Sequence, residues 1–479
     1  MCAWTSENIA KIVEGTLQGD PDVVGQGCLL DSRRALGGEI FFALPGERAD
    51  GHQFIRAAWD QGAGLAVAEK KRWAEMGQLT IPPGKAVVLV DSVLRALQKL
   101  ASVYRGELGA RVIGITGSNG KTTTKDMVAS VLARRYRVHK NKENHNNELG
   151  LPLTILNAPV DTEVLVLEMG MRGLGEIKEL CAIGHPETGV ITNIGTTHIE
   201  LLGTQENIAK AKWELIEALP LQGTAILNAD DQWSADKGQA EQRTKLFYGI
   251  KGAYAEPDIS AQKIQPDGAL GTSFEVCWGG ERQPVFLPLP GEHNVLDALA
   301  AISVGIVHGV SLREACQGLL SLELSRMRLE MQPGLYQSIL ISDVYNANPI
   351  SMQASLQVLR ERGGDSTLAI LGEMYELGAE TIPGHQLVGK TAAELEITEL
   401  VTVGKLAEEI AAGAKAAGMP AERLHVCATK EAAIQKAREC LACMPPETWV
   451  LLKASRGMKL EEITTQLQVA QEKGKELND

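Results

Sequence analysis

The run Thr116-Gly117-Ser118-Asn119-Gly120-Lys121-Thr122-Thr123 has the residue types to bind phosphate. It follows a β-branched run at 112–115 and opens a predicted helix that continues through Met127, Val128 and Ala129. Strand, glycine-rich turn and helix is the order that a phosphate loop needs. Glycines let backbone N–H groups curl around phosphate oxygens, and a helix N-terminus adds partial positive charge. In such a loop Lys121 reaches the terminal phosphates and the Thr122 hydroxyl holds Mg²⁺. Ile115 stands where the longer pattern has glycine, which leaves the tighter Thr-Gly-x-x-Gly-Lys-Thr form.

Other candidates are scattered. Glu168 closes the apolar run 164–167, so it could hold Mg²⁺ or orient a nucleophile, or it could be a strand-end glutamate facing solvent. His198, just past a predicted strand at 189–195, reads as a metal ligand or as a hydrogen-bonded loop residue. Open parallel sheets bind ligands at such strand ends. Lys210 and Lys212 fall on a predicted helix at 206–219 and by default would be solvated. Asp343 ends the run 339–342 with Asn346, Asn348 and Pro349 behind it, a ribose or magnesium clamp or simply a loop cap. Asn141-Lys142 lacks the aspartate of a guanine-reading element. Among eight cysteines only Cys440 and Cys443 form a C-x-x-C. With no second pair at zinc spacing, they read as two small apolar residues at a helix end rather than a redox or metal pair.

The elements that would position these residues are of the α/β kind. Strands are expected at 37–44, 64–68, 87–90, 112–115, 164–171, 189–195, 224–228, 339–343, 368–372, 400–404 and 449–453. Helices are expected at 6–13, 54–61, 92–104, 206–219, 295–307 and 351–360, with turns around Gly15 and Gly19-Asp20-Pro21. Short strands with Gly and Pro turns fill 245–290, and Gly291-Glu292-His293-Asn294 caps the Ala-rich helix after it. The tail after Ala470 is expected to fray. A length of 479 residues suits several domains. We divide it into three α/β domains at 1–108, 109–322 and 323–479. A net charge of −13 argues against general nucleic-acid binding. Anionic substrates must therefore be met by local cations and metal ions. No basic leader precedes an apolar core, and no apolar run is long enough to span a membrane. A cytoplasmic chain with reduced thiols, acting as a monomer, is expected.

These motifs together resemble the Mur ligase family over nearly the whole chain. The phosphate loop matches the family's ATP loop. Asn144-His145-Asn146-Asn147-Glu148-Leu149-Gly150-Leu151-Pro152, Glu168-Met169-Gly170-Met171, Thr192-Asn193-Ile194-Gly195, His198-Ile199-Glu200 and Gly291-Glu292-His293-Asn294 match motifs of its central domain. Asp31-Ser32-Arg33 with Asp50-Gly51-His52 is similar to the uridine-nucleotide-binding domain of one branch. The most branch-specific segments are Tyr345-Asn346-Ala347-Asn348-Pro349 with Ser351-Met352, and Leu371-Gly372-Glu373-Met374-Tyr375-Glu376-Leu377-Gly378.

The resemblance implies an N-terminal uridine-nucleotide-binding domain, a central P-loop ATPase domain with a parallel sheet, and a C-terminal Rossmann-like domain closing over ATP. It implies ATP-dependent joining of D-alanyl-D-alanine to UDP-N-acetylmuramoyl-tripeptide through an acyl phosphate. Lys121 would stabilise the γ-phosphate, Thr122 and Glu168 would hold one Mg²⁺, and His198 would help to hold a second. Lys212 aligns with the family's carbamylated lysine, which overturns its default reading as solvated. His293 and Asn294 would meet the base, while Arg328, Asp343, Tyr345 and Asn346 would reach the nucleotide from the C-terminal domain. Ser32, Arg33, Asn146, Asn147, Lys453 and Ser455 would contact the substrates. The chain departs from the family pattern at Asp297, usually asparagine, at Ala454, usually glycine, and at Asn141 and Glu143, usually threonine and glycine. Competing readings are a sibling ligase with another acceptor, such as glutamate on folate, and a P-loop protein that binds nucleotide without ligation.

Overall fold

The computed structural model describes residues 4–46, 49–77, 79–142, 145–267, 271–325 and 327–469. The expected fraying after Ala470 and the expectations for Glu143 and Asn144 concern residues outside these ranges. Three sheets follow one another along the chain. The first contains β1 (Thr16–Gly19), β2 (Cys28–Leu29), β3 (Ile40–Phe42), β4 (Leu65–Glu69) and β5 (Ala86–Val90). Its order is β1-β5-β4-β3-β2, parallel except for the antiparallel edge strand β1. The turn residues Gly15 and Gly19 thus bracket a strand that the sequence reading passed over. Its outward pattern lacks apolar alternation, and pairing with β5 alone supports it.

The central sheet contains β6 (Arg111–Thr116), β7 (Val138–Lys140), β8 (Val164–Glu168), β9 (Thr188–Ile191), β10 (Thr224–Asn228), β11 (Thr244–Gly249), β12 (Ile259–Asp267), β13 (Gly271–Trp278) and β14 (Glu281–Leu287). Its order is β14-β13-β12-β11-β10-β9-β6-β8-β7. Strands β7 to β12 and β6 run parallel, and β13 and β14 fold back antiparallel. Parallel strands covered by helices on both faces must be apolar throughout. Every residue of β8 and of β10 is buried. The region 245–290 holds longer strands than expected, because Gly279 (φ 55°) and Gly280 (φ 85°) form a tight reversal that favours a long hairpin. The helix expected from Val295 begins at Glu292, with Gly291 as its cap. β6 lies between β8 and β9, so the direction of strand addition reverses there and a crevice opens at its C-terminal end.

The third sheet contains β15 (Glu330–Pro333), β16 (Ile339–Ser342), β17 (Thr367–Gly372), β18 (Glu399–Val403), β19 (Leu424–Cys427) and β20 (Trp449–Lys453), in the order β15-β16-β20-β17-β18-β19. Only β15 is antiparallel. Helices Thr381–Glu394, Glu408–Ala416 and Lys430–Cys443 cover it, the last ending at Cys443 as the C-x-x-C reading expects.

Apolar packing divides the chain unequally. One cluster runs without a break from Trp4, Ile9, Ile40 and Val88 to Leu151, Leu165 and Leu215, and so joins the first sheet to the central one. The helix Val93–Leu108 carries that junction. Ser92 caps its start, Gly109 at φ 62° ends it, and its apolar stripe contributes Leu97, Leu100 and Tyr104. The Tyr104 hydroxyl donates to the Ala158 carbonyl at 2.8 Å, and its ring meets Trp4 edge-on with centroids 5.6 Å apart. The third sheet, in contrast, has two clusters of its own. Tyr104→Phe leaves the buried Ala158 carbonyl without this donor, and a lost buried hydrogen bond of this kind costs about 1–3 kcal/mol. We expect a lower urea midpoint with the first two domains still unfolding together. An early transition confined to the N-terminal domain would contradict the continuous core.

Candidate active site

The phosphate loop joins β6 to the helix Lys121–Leu132. A Cβ on Gly117 would overlap the Thr192 hydroxyl, and one on Gly120 would overlap the Asp297 carboxylate. Gly120 also adopts φ 79°, the left-handed turn that starts the helix. The loop is pinned to the segment after β9. Ser118 N and Asn119 N donate to the carbonyl and side chain of Asn193 at 2.9 and 3.0 Å. Gly195 N donates to Ser118 Oγ at 2.9 Å, and Thr192 Oγ1 donates to the Asn119 carbonyl at 2.6 Å. Thr116 is buried and donates to the Met169 carbonyl, while Thr123 sits half-buried in the first helical turn. Lys121 folds back across the loop, donating to the carbonyls of Gly117 (2.7 Å) and Ser118 (3.2 Å). Burial lowers its pKa, Glu168 opposes that shift, and Arg328 adds to it.

Glu168 is 2 % exposed, not the solvent-facing residue of the alternative reading. Thr122 Oγ1 donates to one carboxylate oxygen and Asn146 Nδ2 to the other, both at 2.7 Å. The Glu168 amide donates to Asn141 Oδ1 at 2.6 Å, which fixes the strand end. Asn147 Oδ1 accepts from Gly150 N at 2.9 Å, just before the helix Gly150–Leu156. The Glu168 carboxylate, with no ion-pair partner among the described residues, and the Thr122 hydroxyl beside it are the hard oxygen ligands that suit Mg²⁺.

The two helix lysines part ways. Lys210 is exposed and pairs with Glu206 at 2.9 Å. Lys212 is 2 % exposed, so the default expectation of a solvated side chain fails for it. Its helix, Gln205–Glu217, packs Ile208, Ala209, Ala211 and Leu215 into the core and turns Lys212 into the cleft. No acidic side chain pairs with it among the described residues. Burial holds its pKa well below the usual value, and the Lys121 charge reinforces that. His198, at φ 66°, lies with Nδ1 2.6 Å from Glu376 Oε2 of the C-terminal domain, the carboxylate off the ring N–H direction. Burial lowers its pKa, Glu376 opposes, and Lys121 and Lys212 add to the lowering.

The far wall of the cleft comes from the C-terminal domain and the segment leading to it. The Arg328 guanidinium stacks 4.3 Å from the centre of the Tyr345 ring, and its buried Nε has no hydrogen-bond partner among the described residues. Asp343 and Lys453 form a buried pair at 2.5 Å. Ser355 also donates to Asp343 (2.8 Å), and Lys453 donates to the Asn346 carbonyl (3.1 Å). Burial alone would push Asp343 up, but Lys453 and Ser355 hold it below the ordinary carboxylate range. Ser455 is likewise buried, accepting from Tyr375 N at 2.9 Å. Lys453 and Ser455 therefore have internal partners as well as a place on the wall. His293 lies half-buried beside them, pushed down to about 4 by burial, with Asp343 opposing and Lys453 reinforcing. Asn294 donates to the Pro290 carbonyl at 2.7 Å. The resulting cleft has a volume of about 1010 Å³.

Ser32 and Arg33 do not line this cleft. Ser32 is buried in a short helical turn, and the exposed Arg33 folds onto Asp31, at 2.9 and 2.8 Å. That bond holds the Asp31 carboxyl down at about 2. His52 is an internal brace rather than a surface group. Its Nδ1 is 2.7 Å from Asp50, and its Nε2 accepts from Glu69 N at 2.8 Å. Sequence reasoning gave no role to Asn141, Asn193 or Asn348. Asn348 Nδ2 donates across the cleft to Asn119 Oδ1 (2.6 Å) and Thr197 Oγ1 (3.1 Å). An asparagine directly before proline is a helix-cap signal, and Asn348 does cap the helix Pro349–Gly363. Nothing in the spacing indicates the second contact.

Family profiles match all three parts of the chain. The one described as Mur ligase family, catalytic domain, covers 26–105, the Mur ligase middle domain covers 115–305, and the Mur ligase, glutamate ligase domain covers 327–456. The UDP-N-acetylmuramoyl-tripeptide–D-alanyl-D-alanine ligase of Bacillus subtilis (strain 168) is 38 % identical over 471 residues, 98 % of this chain and 99 % of that one. The enzyme of the same name from Escherichia coli (strain K12) is 32 % identical over 472 residues, 98 % and 99 % of the two chains. A crystal structure of MurF from Acinetobacter baumannii superposes with a TM-score of 0.85 at 29 % identity, covering 97 % of this chain and 98 % of that one. MurF from Thermotoga maritima in complex with ADP gives 0.77 at 27 % identity, covering 92 % and 96 %. Similarity that runs through all three sheets, and not through the phosphate loop alone, means that the chain belongs to the Mur ligase family.

Proposed function

We propose that the chain is an ATP-dependent amide ligase that joins D-alanyl-D-alanine to UDP-N-acetylmuramoyl-tripeptide, giving the pentapeptide precursor, ADP and phosphate. One observation carries this reading: a single cleft brings the phosphate loop and the buried Glu168 face to face with Arg328, Tyr345 and the Asp343–Lys453 pair. The domains, taken as 1–108, 109–322 and 323–479, divide the work. The first, with Ser32 and Arg33, holds the uridine diphosphate end of the precursor, the second holds ATP, and the third holds the dipeptide. The enzyme works as a monomer in the cytoplasm, where its nucleotide substrates are. Among the described residues, no helix is long and apolar enough to cross a membrane.

A carboxylate acylates poorly, so the terminal carboxylate of the tripeptide first takes the γ-phosphoryl group of ATP and becomes an acyl phosphate. The dipeptide amine then attacks that carbonyl, and the tetrahedral intermediate expels phosphate. Lys121 leaves its loop carbonyls to meet the γ-phosphate, and Arg328 supplies charge from the opposite wall. His293 and Asn294 flank the base, and Asp343, Tyr345 and Asn346 flank the nucleotide. Asn146 and Asn147 contact the tripeptide end, and Lys453 and Ser455 the dipeptide. Thr122 and Glu168 would hold Mg²⁺, which would supply charge to offset the repulsion between the carboxylate and phosphate oxygens. His198 and a carbamate on Lys212 would hold a second ion. Burial favours the neutral amine of Lys212, and that amine can add to CO₂ with release of one proton, so that the neutral nitrogen becomes part of a carbamate anion. The C-terminal domain meets the central one through polar contacts such as Asn348–Asn119, which can open and close. Closure keeps water from the acyl phosphate.

Phosphate release should require ATP, Mg²⁺, the UDP-tripeptide and D-alanyl-D-alanine together, with the pentapeptide identified by mass. Release with a single amino acid on a shorter precursor would instead mark a sibling ligase. Tight ATP binding without turnover on any acceptor would mark a nucleotide-binding protein. Lys212→Ala should lower kcat by about 100-fold or more, as loss of a charge-stabilising group does. ¹³C-bicarbonate should give a carbamate resonance in the parent that is missing in Lys212→Arg. A resonance common to both would remove the carbamate from Lys212.

Asp297, at the position where the family pattern has asparagine, is buried beneath Gly120 and accepts from Thr124 Oγ1 at 3.0 Å. Burial pushes it up to about 8, against the Thr124 hydrogen bond and the Arg328 charge. The unfolded chain loses this proton near the ordinary carboxylate value of about 4, while the folded chain keeps it. Its contribution to stability is therefore lost as pH rises through this window, up to about 8. Asp297→Asn cannot ionise, so in nucleotide-free protein its stability relative to the parent should rise across the window. Parallel urea midpoints for the two proteins against pH would contradict this assignment.

A further inference from the structure

Away from the cleft, the outer edge of the third sheet gathers three metal-ligating side chains from three elements. Glu399 opens β18, His425 lies on the edge strand β19, and Cys440 lies in the last turn of the helix Lys430–Cys443 that packs across both strands. His425 Nε2 is 2.7 Å from Glu399 Oε2. The ligand atoms of all three residues lie within 4.8 Å of one another. The Glu399 and His425 side chains are 22 % and 19 % exposed, shielded but open to an entering ion. None of the three lines the catalytic cleft. We propose that Glu399, His425 and Cys440 form a binding site for a thiophilic divalent cation of the zinc class.

The donor set selects the ion. A thiolate, an imidazole and a carboxylate suit zinc, whereas the all-oxygen shell that Mg²⁺ prefers is absent here. Three protein ligands with a fourth position left to water is a common zinc arrangement. The ligand distances for zinc are about 2.0–2.3 Å, which places the donors of a tetrahedron within 4 Å of each other. Small side-chain rotations bring the present cluster to that geometry. Without a cation, a thiolate beside Glu399 would be repelled, and burial together with that carboxylate holds the Cys440 thiol up at about 11. Metal binding removes the repulsion and releases the thiol proton to solvent. The charged neighbours are Lys436 and Glu439 on the helix, which pair with each other at 2.5 Å. Cys443, one turn further on, is exposed and is not needed as a ligand. A bound ion would tie the edge strand β19 to its neighbour and to the covering helix.

Cobalt(II) tests this on the full chain, with excess Mg²⁺ present to occupy the oxygen site of the cleft. The expected result is one equivalent of Co²⁺ with a near-ultraviolet thiolate-to-metal absorption, displaced by Zn²⁺. Cys440→Ser should abolish the absorption. His425→Ala and Glu399→Gln should each weaken binding by more than about 100-fold, beyond the range for loss of an outer-shell contact, while Cys443→Ser retains it. Zn²⁺ should also raise the thermal midpoint of the parent but not that of His425→Ala. Absence of the absorption in the folded parent would overturn the site. So would an absorption that survives His425→Ala and Glu399→Gln, or one lost with Cys443→Ser, since either would assign the ion to the cysteine pair alone.

Discussion

Glu168 holds a negative charge at the buried end of β8, where each carboxylate oxygen faces an uncharged donor, Thr122 on one side and Asn146 on the other. A charge taken out of water in this way is costly unless neighbours are already in place to stabilise it. The surrounding elements meet that requirement. Asn141 fixes the backbone of Glu168, the phosphate loop supplies Thr122 from the next strand over, and Asn193 pins that loop from the strand beyond. Three loops from adjacent strand ends are thereby locked to one another before any ligand arrives. The hydrogen bonds also leave the net charge of the carboxylate intact, so its attraction for a cation remains.

The two halves of the cleft are held differently. The N-terminal and central domains share an unbroken apolar core through the helix Val93–Leu108, so they form one platform. Contact with the C-terminal domain is made by single polar groups, among them Asn348 with Asn119 and Glu376 with His198. Such contacts can exchange with water at little cost, whereas prying apart the apolar junction would expose it. The molecule can therefore move at one boundary and stay rigid at the other. Arg328, which leads into the C-terminal domain and whose Nε has no hydrogen-bond partner among the described residues, lies at the boundary held by polar contacts.

Much of this was legible in the sequence where local pattern decides the outcome. The strands Thr224–Asn228 and Trp449–Lys453 and the helix Ser6–Val13 fall where apolar runs and periodicity place them, because nothing beyond the segment is needed to define them. The phosphate loop was legible for the same reason. Lys212 was not, because spacing cannot tell which face of the helix Gln205–Glu217 turns toward the cleft. That depends on packing against strands distant in sequence. Asn141 gave no signal for its role because its partner is the backbone of Glu168, 27 residues away. The edge strand β1 and the docking of Asn348 escaped for the same reason, since both rest on partners from remote parts of the chain.

The C-terminal sheet buries its own side chains on both faces, and among the described residues its apolar clusters draw on no part of the chain before residue 327. Its apolar core is therefore separate from that of the phosphate loop, and the two halves of the cleft meet through polar contacts such as Asn348 with Asn119. A lineage could exchange or remodel this domain as a portable cassette while the core beneath the phosphate loop stays as it is.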